Sequence, residues 1–66
     1  MYDFDTLADK FDNDILPFCR SYNYGLHDIF DYSRRHSPQM YLVLSRLWSS
    51  ERGKAFLRSR FKDKRF

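Results

Sequence analysis

Apolar residues recur along the chain in steps of three and four rather than in strict alternation, the spacing that lines one face of a helix. Residues with branched Cβ atoms are limited to Thr6, Ile15, Ile29 and Val43, so strands have little support and the pattern predicts an all-α protein. Phe4, Leu7, Ala8 and Phe11 mark a first helix, with Asp3 and Asp5 where negative charge favours a helix start. Two readings of the next stretch stay open. Asp14 can cap a separate helix with Pro17 in its first turn, where a missing N–H costs nothing. Alternatively, Phe4, Leu7, Phe11, Ile15, Phe18 and Tyr22 keep one helical phase through Pro17, as in a single kinked helix.

Asn23-Tyr24-Gly25 reads as a stop, with Gly25 as the residue able to turn left-handed. The next helix carries Leu26, Ile29, Phe30 and Ser33 on one face, with Asp28 near its start and Arg34, Arg35 and His36 near its end, each charge opposing the helix dipole. Ser37-Pro38 opens another helix, Ser37 as cap and Pro38 with its dihedral pre-set. Its broad face of Met40, Tyr41, Val43, Leu44, Leu47 and Trp48, with Leu42 pointing elsewhere, predicts the central core element. Ser49 or Ser50 caps a last helix whose apolar side is Phe56, Leu57 and Phe61. The expectation is one domain over residues 1–66, a compact bundle of four or five short helices, with residues 58–66 as a flexible basic tail.

Composition sharpens this picture. A 66-residue chain has room for one small core and buries only about 60% of the surface it exposes when unfolded. Seven Phe, five Tyr and one Trp must supply much of that core. The single Cys19 allows no internal disulfide and fits a reducing, cytoplasmic setting. The start of the chain is acidic where a secretory signal is basic, and the longest apolar run, Met40 to Leu44, is far short of the roughly 18 residues a membrane span needs.

Charge is the feature that bears most on function. Residues 1–31 hold seven Asp against Lys10 and Arg20, a net of −5, whereas residues 32–66 hold ten Lys and Arg against Glu51 and Asp63, a net of +8. Arg outnumbers Lys eight to four, which suits bidentate phosphate contact. The candidate binding residues are Arg46, Arg52, Lys54, Arg58, Arg60, Phe61, Lys62, Lys64 and Arg65, with Phe61 and Phe66 as exposed aromatics available for base stacking. Tyr41 and Trp48 fit the core phase instead.

Catalytic chemistry finds no matching arrangement. Cys19 shares a phase with Ile15 and Tyr22 and reads as a buried, inert thiol. His27 and His36, nine residues apart, match no zinc spacing with Cys19, and Asp9, Asp12 and Asp14 lack the glycine and terminal glutamate of a calcium loop. Gly25 and Gly53, standing alone, build no phosphate-cradling loop. The chain is therefore expected to be non-enzymatic, without cofactor or metal.

The middle of the chain invites comparison with a helix-turn-helix, Leu26 to Phe30 being the first helix and Ser37-Pro38-Gln39 opening a recognition helix. Against it, residues 31–36 contain no turn glycine, Arg34 or Arg35 stands where an apolar turn residue belongs, and the second helix keeps little polar surface. The leading expectation is thus nucleic-acid contact, DNA first, through the basic last helix. The competing one is a protein-interaction module, a small regulator or inhibitor of the kind phages and other mobile elements encode, which docks on an acidic host protein or forms a homodimer. A third places residues 51–66 on an anionic membrane surface, although Arg60 interrupts that apolar face.

Overall fold

A computed structural model describes residues 3–62. Its order is α1 (Phe4–Lys10), a π-helical segment (Phe11–Ile15), α2 (Leu16–Tyr22), α3 (Leu26–His36), α4 (Pro38–Trp48) and α5 (Glu51–Arg60), with no strand among the described residues. The protein is all-α.

The first three elements form one rod, because Lys10, Phe11, Ile15 and Leu16 all keep right-handed helical dihedrals. This decides between the two readings of residues 4–22, and Asp14 caps nothing. The wide turn has a local cause. Leu16 N–H bonds to the Phe11 carbonyl, five residues back, immediately before Pro17, which has no N–H to give and crowds the turn behind it. The wide turn also sets the buried face. Leu7, Phe11, Ile15 and Cys19 are all buried and stand four apart, a spacing that advances about 40° per step around an ordinary α-helix. Loosening the winding at residues 11–15 offsets that drift. The buried line therefore runs to Cys19, while Phe18 is half-buried and Tyr22 is 61% exposed, against the phase expected for it.

The rod ends in a Schellman motif on Asn23, whose φ of 58° is the left-handed turn expected of Gly25. Tyr24 N–H donates to the Cys19 carbonyl at 2.8 Å and Asn23 N–H to that of Arg20 at 3.4 Å. Gly25 is extended and starts α3, donating its N–H to the Asp28 carboxylate at 3.0 Å. Ser37 then accepts from Met40 N–H at 3.4 Å and Ser50 from Gly53 N–H at 3.0 Å, so both serine caps fall where the sequence puts them.

Helix α4 is the hub, packing on α1, the π segment, α3 and α5. Its Val43, Leu44 and Leu47 meet Leu7, Phe11, Ile15 and Cys19 of the rod, Leu26 and Ile29 of α3, and Leu57 of α5 in one core. Fully buried Ser33 satisfies its hydroxyl on the Phe30 carbonyl at 3.1 Å. Phe4, Phe56, Phe11 and Phe61 form a chain of edge-to-face rings with centroids 5.7–5.8 Å apart, joining the rod to α5. Each such pair adds about 0.5–1.5 kcal/mol beyond its buried area.

Phe61 is thus 1% exposed, a core residue and not a stacking platform. It packs under Phe11 and ties down the end of α5, so the flexible tail expected from residue 58 does not begin there. Residues 31–36 are helical, so α3 and α4 are joined through Ser37 alone, which removes the turn that a helix-turn-helix needs.

Candidate nucleic-acid interface

The basic last helix starts at a tight corner. Gly53 is buried, and a Cβ placed on it would lie 1.8 Å from the Leu47 carbonyl oxygen and 2.5 Å from the carbonyl carbon. Only a glycine lets α5 cross α4 this closely. Leu57 and Phe61 follow Gly53 at four-residue steps as the buried line of α5, which leaves the cations on its flanks and outer side.

On one flank, the Arg52 guanidinium lies over the Phe4 ring at 4.1 Å and that of Arg60 over the Phe56 ring at 4.3 Å. On the other, Arg58 and Lys54 both approach the Trp48 ring, at 5.4 and 5.8 Å. The attraction of a cation for a ring face holds these side chains against the helix and leaves guanidinium edges free to donate. Between the flanks, exposed Ala55 and Ser59 present little bulk, so the helix backbone can come close to a partner surface there. Lys62 is exposed just past the end of the helix. Arg46 is exposed on α4, before the corner. Lys64, Arg65 and Phe66 lie outside the described residues.

Two of these cations are partly committed. Arg60 grips Asp12 with two bonds, Nε to Oδ1 at 2.9 Å and Nη2 to Oδ2 at 3.1 Å, joining the π segment to α5 across 48 residues of chain. Hydrogen bonding to that carboxylate raises the Arg60 pKa further above its usual value. Lys54 stands 3.7 Å from a largely solvated Glu51, a contact worth little. Arg52 and Arg58 have no carboxylate partner among the described residues.

Three of the remaining acids have partners within the fold. Asp3 accepts Thr6 N–H at 2.8 Å, and that bond holds its carboxyl below the usual range. Asp28 caps α3 and Asp31 lies 3.5 Å from Arg35. Cys19 is fully buried, whereas His27 and His36 are exposed. Among the described residues no three metal-ligating side chains gather, and no helix is long and apolar enough to cross a membrane.

Two aromatic surfaces escape a reading by helical phase. One joins Phe18, Tyr22, Tyr24 and Tyr32, with neighbouring centroids 4.7–6.0 Å apart, and continues to His36. The other is a groove of about 510 Å³ between α3, the end of α4 and α5, lined by Leu26, His27, Phe30, Trp48 and Arg58. Only their crowding of aromatics signals them in the sequence. Compared with known proteins, the chain matches no family model, no curated protein and no solved structure.

Proposed function

We propose that this protein is a non-enzymatic binding module that contacts the phosphate backbone of nucleic acid, DNA foremost, through the outer side of α5. The observation that carries this reading is the pair Arg52 and Arg58, exposed, set over Phe4 and Trp48, and without a carboxylate partner among the described residues. Held this way, each loses less side-chain freedom on meeting a phosphate than a free arginine does. Small Ala55 and Ser59 between them admit the backbone of a duplex, and Lys62 extends the row. From Arg52 to Arg60 the helix is about 12 Å long, room for a few consecutive phosphates of one strand, with Lys62 just past its end.

Such contacts position a protein on a duplex without reading its sequence, so binding is expected to be insensitive to sequence. Arg60, engaged with Asp12, contributes less than its place in the row suggests. The test is titration of a labelled duplex, with single-stranded DNA and RNA alongside, at about 50 mM salt. Binding that is weakened in the Arg52→Glu, Arg58→Glu double variant supports the reading. Absence of binding to all three nucleic acids overturns it.

A further inference from the structure

The groove beside α5 has a composition that the phosphate contacts do not use. Leu26, Phe30 and Trp48 make its floor, with the Phe30 and Trp48 rings edge to face at 5.9 Å, and Arg58 closes one side over Trp48. Its volume of about 510 Å³ suits one or two large apolar side chains. His27 and Phe30 also belong to a second depression of about 200 Å³, which extends past Tyr41 to Arg34. The surface is therefore an elongated track with an arginine toward each end. Asp31, the acid on this track, is 3.5 Å from Arg35, and His27 is exposed at its rim.

We infer that this track is a docking site for an acidic peptide segment that seats an apolar anchor on Phe30 and Trp48 and lays carboxylates against Arg58 and Arg34. Charge complementarity chooses the occupant. Neither arginine has a carboxylate partner among the described residues, the groove beside Arg58 is floored by apolar and aromatic side chains, and Asp31, the acid beside Arg34, is paired with Arg35. A basic or purely apolar segment would leave both cations unanswered while covering them. Two depressions sharing a wall fit a peptide with successive anchors better than one compact small molecule. Arg58 faces both this track and the phosphate row, so an occupied groove competes with nucleic acid for that one side chain.

A displayed library of short random peptides, selected on the whole protein and counter-selected on the Arg34→Glu, Arg58→Glu variant, tests this directly. Both residues are exposed, so the variant keeps the core intact. The expected result is enrichment of Leu, Phe or Trp flanked by Asp or Glu. A selected peptide then shifts the emission of Trp48, the single tryptophan, in a saturable way, and binds the variant at least about tenfold more weakly. Arg52→Glu and Lys62→Glu, which weaken the phosphate row, leave peptide affinity unchanged, so the two surfaces fail or succeed separately. Enrichment without acidic residues, or equal binding to the variant, overturns the inference. So does a shift in Trp48 emission that follows protein concentration alone together with a dimer in sedimentation, since the occupant is then a second copy.

Discussion

Gly53 shows how one side chain decides where the basic helix lies. In an open helix position, replacing glycine by alanine gains about 1 kcal/mol, but here the added methyl would meet the backbone of Leu47, which cannot swing aside. Gly53→Ala is accordingly expected to lower stability by about 1–3 kcal/mol, measured by urea denaturation, whereas Ala55→Gly on the outer side costs about 1 kcal/mol by propensity alone. For a domain of this length, with a total margin of roughly 3–10 kcal/mol, the first is a large share. Asp3 makes a smaller, pH-dependent contribution. Its carboxyl titrates below the usual range because it accepts Thr6 N–H, so the cap is intact above the ordinary carboxylate value and is lost as pH falls through the depressed one. An NMR titration is expected to show the Thr6 amide moving with that transition, and in Asp3→Ala the movement disappears. The serine caps are legible in the sequence because side-chain chemistry alone sets them. The role of Gly53 is not, since nothing local distinguishes a glycine needed for close packing from one that is tolerated.

At the scale of elements, the division of the chain follows from punctuation: Asn23 to Gly25, Ser37-Pro38 and Ser50 bound every helix after the rod. The rod itself resists a reading by period. Its buried residues step by four through a π turn, whereas the 3.6-residue phase points to Tyr22, and the turn depends on how Pro17 is accommodated. Phe61 is misread for a related reason. Its basic neighbours suggest a solvated tail, but it continues the Gly53 and Leu57 line under Phe11. The Asp12–Arg60 clasp is likewise invisible in sequence, being made between residues 48 apart. Breaking it separates stability from binding. Arg60→Ala is expected to cost about 0.5–1 kcal/mol in denaturation, the scale of a surface ion pair, and to change the salt dependence of nucleic-acid binding little. Asp12→Asn frees the Arg60 guanidinium and is expected to raise the number of phosphates contacted by about one.

Across the whole molecule, the opposition of an acidic first half and a basic second half becomes a spatial arrangement. The rod packs its Phe4 and Phe11 on α5, and Asp12 neutralises part of the basic row, so bulk charge overstates what a partner meets. The radius of gyration, 10.7 Å, is that expected of a folded chain of this length, about 10.8 Å. Fold class and the identity of the basic helix were thus legible in the chain. Which cations stand free of carboxylates, and which aromatics gather into a groove, depended on contacts between distant residues. If the cations of α5 that lack carboxylate partners hold nucleic acid, the salt dependence of duplex DNA binding reports how many of them do so. With three phosphates engaged by Arg52, Arg58 and Lys62, affinity is expected to fall about 40-fold between roughly 50 and 200 mM salt, with a log–log slope near −2.7. Arg52→Glu with Arg58→Glu should flatten that slope by about two. Undetectable binding at the lower salt, or a slope that survives the double variant, would mean that Arg52 and Arg58 do not hold phosphate.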